Sequence, residues 1–237
     1  MIDIAIQIRD MAIQARAVSR SAVRTRLGIP DNAVVVGGCG VEHWRKGLDL
    51  FIRVAFESLK AVHDRKLYFV WLGSDAKGKD SDQLLFDVRR AGLSERLTIV
   101  PRTDNPWEYY ATFDIFAMTS RDDPFPRVNL EAGLFGSPVI CFDHSGGSPE
   151  FVENDAGYVV PYYDVASMAE KIGLLARNDE LRRSLGARAR QKVIERHDVH
   201  VGSREIVGVF EKLLGTQRGP GFASTSVRAC QNSEEWT

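Results

Sequence analysis

Asp123 and Glu131 are the two carboxylates whose placement suggests chemistry. They lie in Thr119–Glu131, Thr-Ser-Arg-Asp-Asp-Pro-Phe-Pro-Arg-Val-Asn-Leu-Glu, with seven residues between them. Apolar Ile115–Met118 runs into this polar turn, and the turn runs into a helix expected from about Pro124 to Phe135. Glu131 sits among Leu130, Ala132, Leu134 and Phe135, so its side chain falls near a core. An anion there needs polar partners, because an unpaired buried group costs several kcal/mol, roughly. A vicinal diol such as a ribose suits a carboxylate, which accepts two hydrogen bonds. An arginine or backbone partner within the protein is the alternative. Asp123 has a structural reading too, as N-cap of a helix with Pro124 at its first position.

A second cluster is Gly37-Gly38-Cys39-Gly40, followed by Trp44-Arg45-Lys46-Gly47. Glycines such as Gly38 and Gly40 let a backbone approach an anion closely, and a helix starting near Leu48 offers unpaired N–H groups. Lys46 is then a point charge for a phosphate and Arg45 a planar fork. The spacing is neither a dinucleotide GxGxxG nor GxxxxGK[ST]. A glycine turn with two solvated basic residues is the plain alternative.

Other candidates are weaker. His144 and Glu150 in loop 143–150 invite an acid–base reading, but a lone histidine in a polar loop is usually only that. Trp107, Tyr109 and Tyr110 either stack on a base or pack a short helix beside Phe113 and Phe116. The basic stretch Arg182, Arg183, Arg188, Arg190, Lys192 and Arg196 is broken by acidic residues and reads as a solvated helix face. The loop 73–80 also reads as solvated. Cys39, Cys141, Cys230 and the histidines have no metal-ligand spacing, so no metal is expected and the thiols read as reduced and cytoplasmic.

The elements that must position these residues alternate strand and helix. Ala33–Val36, Leu67–Leu72, Leu97–Val100, Ile115–Met118, Val139–Phe142 and Tyr158–Val160 are apolar throughout, as strands buried on both faces are. Between them Leu48, Phe51, Ile52, Ala55, Leu59 and Val62 recur at helical spacing. The expectation is an α/β fold, a single Rossmann-like parallel sheet flanked by helices, with ligands beyond the strand C-termini. Helices are expected over 165–176, 180–196 and 199–214. Residues 1–24 read as a helical segment or linker, 25–214 as the domain, and 215–237 as a disordered tail. A net charge of -1 argues against nucleic acid, and the lack of an apolar run of about 20 residues against a transmembrane segment.

With these residues assembled, the chain resembles the nucleotide-binding half of GT-B glycosyltransferases of the family 4, or group 1, type. Asp123 and Glu131 look like the E-x7-E signature, and Ser120–Pro126 is similar to its Ser-Arg-Glu-Asp-Pro-Phe-Pro form. Arg45–Phe51 and Ser145–Glu150 are further matches, and the likeness covers roughly 25–214. The resemblance implies that Lys46, helped by Arg45, contacts the diphosphate and that Glu131 holds the ribose. It gives Asp123 to the transferred sugar, the backbone of Phe125, Pro126, Arg127 and Val128 to sugar and phosphate, and loop 101–105 with Arg102 and Trp107 to the base. The implied donor is a UDP- or GDP-sugar, used without cofactor or metal, with retaining transfer of a hexosyl group to a glycan or lipid-linked acceptor. Polysaccharide biosynthesis in the cytoplasm, including a peripheral place at the inner membrane face, is implied as well. Three positions depart from the pattern: Asp123 for Glu, Cys39 where many members carry Arg, and Arg127 where an apolar residue is usual. The short stretch before residue 25 implies either a fragment of a longer glycosyltransferase or a chain that takes its acceptor domain from a separate N-terminal GT-B partner or from self-association. The competing readings are a non-catalytic interaction or regulatory module and a sugar-nucleotide epimerase.

Overall fold

The computed structural model describes residues 19–75 and 79–213. The expectations for residues 1–18, for the middle of loop 73–80 and for the tail lie outside the described residues. Helix α1 (Arg20–Arg26) leads into β1 (Val34–Cys39), a 3-10 turn (Trp44–Lys46) and α2 (Leu48–Ala61). Then come β2 (Leu67–Leu72), α3 (Lys79–Arg90), β3 (Leu97–Val100), α4 (Trp107–Tyr110), β4 (Ile115–Met118) and α5 (Arg127–Leu134). The chain continues through β5 (Val139–Phe142), α6 (Ser148–Val152), β6 (Gly157–Val160), α7 (Val165–Arg177), α8 (Asp179–Arg196) and α9 (Val199–Leu213).

All strand pairs are parallel, in the order β3-β2-β1-β4-β5-β6. The order reverses between β1 and β4, and there the loops after the two strands part and leave a crevice. The alternation of side chains along each strand splits the core in two. Val34 and Val36 face a layer with Phe51, Phe69, Trp71, Ile115 and α7, while Val35 faces Tyr110, Phe116, Leu130 and Val193. This is the expected Rossmann-like architecture. No described helix is long and apolar enough to cross a membrane.

Three details differ from the sequence reading. β1 runs on through Gly37 and Gly38, because their missing side chains leave room for aromatic rings. A Cβ on Gly37 would lie 2.2 Å from the Phe113 ring, and one on Gly38 would lie 2.7 Å from Trp71 and 2.8 Å from Phe51. Helix α5 starts at Arg127 with Pro126 as its N-cap, not near Pro124. A residue before proline is pushed to extended backbone, so Asp123 before Pro124 and Phe125 before Pro126 delay the helix. α1 crosses the boundary drawn between residues 24 and 25, since buried Arg24 anchors it by donating to the carbonyls of Pro30, Asp31 and Ala33 and to Asp114.

Candidate functional site

Lys46 leaves the 3-10 turn after β1 and its Nζ lies 2.5 Å from Asp123 Oδ2, in the turn after β4. Both groups are partly covered, with 23% of the lysine and 11% of the aspartate side chain exposed. Two glycines permit this approach. Gly47 has φ 71°, and a Cβ there would meet the Thr119 carbonyl oxygen at 2.1 Å. Gly146 has φ 111°, and a Cβ would meet the Asp123 carbonyl oxygen at 1.8 Å. Asp123 therefore lies in a short parallel bridge with Gly146, its N–H donating to the Ser145 carbonyl at 2.8 Å. It does not cap α5, and its carboxylate is turned to Lys46 instead.

Glu131, in the second turn of α5, is reached by one firm internal donor. The Tyr110 hydroxyl donates to its Oε2 at 2.8 Å. The Arg127 Nη2 stands 3.5 Å from Oε1, on a side chain that is 59% exposed. Burial raises the Glu131 pKa above the ordinary carboxylate value, opposed by the Tyr110 hydroxyl and the Arg127 charge. Tyr110 is fully buried among Phe113, Phe116 and Phe135, so it orients the carboxylate and is not a stacking platform. Sequence reasoning missed that role, although an aromatic hydroxyl in an apolar cluster does need a partner.

Cys39 ends β1 between the two charges. Burial pushes its thiol up to about 11, with the Tyr110 hydroxyl and Lys46 opposing the rise and Glu131 adding to it. The thiol stays protonated at neutral pH and is a poor nucleophile. Lys46 packs on Gly40 just past the end of β1 and Glu131 lies on the helix that follows β4, so both stand on the loops that part at the β1–β4 reversal.

The remaining candidates divide. Phe125 is half-buried against the ring of His197 at 5.6 Å, and Pro126 is buried. The first turn of α5, with Arg127 and Val128, has no side-chain cap, while the Asn129 N–H turns back to the Pro126 carbonyl at 3.1 Å. Gly40 lies over Lys46, its Cβ position 3.0 Å from that side chain. Gly38 belongs to the aromatic core instead. Arg45 is exposed and contributes its carbonyl, which accepts from the Arg121 N–H at 2.7 Å. Arg102 lies beyond edge strand β3, two strands from β1, exposed, with its N–H donating to Asp75 at 3.3 Å. Trp107 is half-buried and stacks on Tyr110. His144 is 85% exposed beside Asp143 and Glu150 is exposed too, so they build no acid–base pair. Among the described residues no group of three or more His, Cys, Asp or Glu could hold a metal.

Two basic residues were misread: Arg182, 13% exposed, pairs with Asp179 at 3.0 Å and donates to the Leu175 carbonyl at 2.7 Å. Lys192 is not on a solvated face but fully buried, its ammonium paired with Glu153 at 3.0 Å and with Asp155, and donating to the Phe151 and Val152 carbonyls. It ties α8 to the turn after α6, behind the loop that covers Asp123.

The chain is similar to known proteins in sequence and in fold. The chain is 30% identical over 175 residues to the D-inositol 3-phosphate glycosyltransferase of Nocardia farcinica, covering 72% of this chain and 39% of that protein. The C-terminal domain of LpcC, a glycosyl transferase group 1 family protein of Francisella tularensis, superposes with a TM-score of 0.66 at 22% identity. That match covers 77% of this chain and 95% of the other. Anabaena HepE, solved with UDP, superposes with a TM-score of 0.75 at 22% identity, over 88% of this chain and 56% of that one. The chain spans about two fifths of the length of the curated relatives it matches. Its sheet is that of the C-terminal half of the GT-B architecture, and the family model for glycosyl transferases group 1 matches residues 19–192, from the start of α1 into α8. A match that includes every strand and both loops of the crevice settles the family: the chain belongs to the group 1 glycosyltransferases.

Proposed function

We propose that this chain binds the nucleoside-diphosphate sugar donor of a retaining hexosyl transfer to a glycan or lipid-linked acceptor. The observation that carries the reading is the pair of opposite charges, Lys46 in the turn after β1 and Glu131 on the helix after β4, on the two sides of the point where the strand order reverses. Glu131 accepts from the ribose hydroxyls. Lys46 and the uncapped N-terminus of α5, with the backbone of Phe125 to Val128, hold the diphosphate. They stabilise it as it departs, the task that a metal ion has in other transferases. Asp123 faces the sugar once a phosphate competes for its lysine. The UDP in the HepE crystal supports a nucleoside-diphosphate ligand for this fold. The acceptor side of the cleft belongs to a second GT-B domain, either elsewhere in a longer protein or on a partner. Closure of that domain excludes water from the anomeric carbon.

Calorimetry with UDP, GDP, ADP and their sugars tests the proposal. Saturable binding of one nucleotide is expected, weakened in Lys46→Ala and Glu131→Ala, and visible as a rise in Tm with ligand concentration. Binding of none of them refutes it. The second reading, an interaction module, is favoured by α9, whose Val207, Val209, Phe210 and Leu213 are exposed. It requires association that nucleotides leave unchanged.

A further inference from the structure

The turn that carries Lys46 is short and its outer side is open, Trp44 being 67% exposed. A three-residue 3-10 turn has little intrinsic stability. Internally its N-cap His43 accepts from Arg45 N–H at 3.2 Å, and its carbonyl takes Lys46 N–H at 2.8 Å. The other fixings come from the end of β4. The Arg121 guanidinium donates to the Trp44 carbonyl at 2.7 Å, and the Arg121 N–H donates to the Arg45 carbonyl at 2.7 Å. Thr119 Oγ1 donates to the Gly47 carbonyl at 2.9 Å.

Arg121 is itself held on all sides. Only 4% of its side chain is exposed. Asp49, in the first turn of α2, accepts two parallel bonds from it at 2.9 and 2.6 Å, and the Tyr163 hydroxyl accepts a third at 3.0 Å. The rings of Trp44 and Tyr163 lie 5.1 and 5.3 Å from the guanidinium carbon. From the next loop Tyr162 donates to the Arg121 carbonyl at 3.3 Å. One planar fork thus joins the Lys46 turn, the start of α2 and the loop before α7. Lysine has three donors and no fork, and cannot serve these partners together.

We propose that Arg121 is a positioning residue for the diphosphate, which with Asp49 locks the Lys46 turn onto the end of β4 and so fixes where the ammonium enters the crevice. The proposal rests on the donor-binding reading above. Arg121 touches no ligand in it and acts through Lys46.

The test compares diphosphate with monophosphate by calorimetry, UDP against UMP and GDP against GMP, in wild type, Arg121→Lys, Asp49→Asn, Lys46→Ala and the Arg121→Lys/Lys46→Ala double variant. Displacing a binding group by an ångström weakens its contact steeply, so Arg121→Lys should lose about 10-fold or more in diphosphate affinity. Monophosphate affinity should change much less. In the Lys46→Ala background Arg121→Lys should have no further effect, as residues acting through one contact are not additive. Equal losses for both ligands, no loss, or full additivity with Lys46→Ala overturns the inference while leaving the donor reading in place. A wild type that binds no nucleotide overturns both. If Arg121→Lys does not fold, Asp49→Asn, at a side chain 46% exposed, carries the same comparison.

Discussion

Replacing Glu131 by Gln separates a ligand-binding carboxylate from a structural one, because the two roles predict opposite changes in stability. Burial holds the Glu131 pKa above its ordinary 4.5, and the Tyr110 hydroxyl and Arg127 offset only part of that. The folded protein therefore keeps a proton that the unfolded chain has released. Stability falls as pH rises from 4.5 through the raised value and stays at the lower level above it. Gln keeps the shape and an oxygen for the Tyr110 hydroxyl but has no charge to desolvate. Glu131→Gln should melt higher than wild type at pH 7, and the gap should close near pH 4 and below. Ligand binding should move the other way. Oε2 already accepts from Tyr110, and the Gln amide leaves one oxygen where a diol needs two. Losing one charge-assisted bond of about 1.5–3 kcal/mol weakens binding roughly 10- to 150-fold. Calorimetry with the best nucleotide and its 2′-deoxy form checks the contact, since the deoxy penalty seen in wild type should shrink in Glu131→Gln. A variant that melts lower at pH 7 and binds normally would show that Glu131 serves Arg127 and Tyr110 alone, and the ribose assignment would be wrong.

Two further predictions concern the frame. Arg24→Met strips a buried charge from Asp114 and removes the guanidinium donor of the Asp31 and Ala33 carbonyls. Breaking such a pair costs about 3–5 kcal/mol, and a domain this size loses roughly 6–20 °C in Tm; a loss under about 1 kcal/mol in a urea titration contradicts the anchoring role. Glu153 is held below its ordinary value by Lys192 and Arg196, and Asp155 is held below its own by Arg188 and Lys192 although burial opposes them. Their contribution is complete above the ordinary carboxylate range and is lost as pH falls through the depressed values. Acid titration of stability should therefore be shallower in Lys192→Met than in wild type, and parallel curves would remove Lys192 from the linkage.

The sheet was legible because each strand is an apolar run and each main helix repeats its apolar positions. Such patterns are local, and a parallel sheet covered on both faces imposes them on every strand. The crevice was legible for the same reason: Lys46 and Glu131 follow strands whose C-terminal ends must open on one edge. What the sequence hid depends on contacts far along the chain. Lys192 looks like its basic neighbours on α8, and only Glu153 and Asp155, in a turn some 40 residues earlier, make it a core residue. Gly37 and Gly38 look like a phosphate loop until the rings of Phe113, Phe51 and Trp71 fill the space beside them. Arg121 sits in the most recognisable motif of the chain, yet its partner Asp49 is 72 positions away. The start of α5 was within reach, since the two prolines forbid an earlier turn of helix.

On the donor-binding proposal, these hidden contacts let one crevice hold its shape and still take a ligand. Lys46 and Asp123 form one contact across the crevice, with 23% and 11% of the two side chains open to solvent. An anion such as a phosphate can take the place of Asp123 at the ammonium because it brings the same sign of charge, whereas leaving the lysine unpaired there would be costly. Arg121 is the opposite case, a buried fork with four acceptors and two rings, which no surface ligand can compete for. The same division separates Glu131, with one firm internal donor, from Tyr110, which is wholly enclosed. On the donor-binding proposal, then, the group that meets the ligand at each end of the crevice has one internal partner and the group behind it is bonded on several sides. Tight pairing at Lys46 or Glu131 would give a more rigid pocket but would leave the nucleotide nothing to replace.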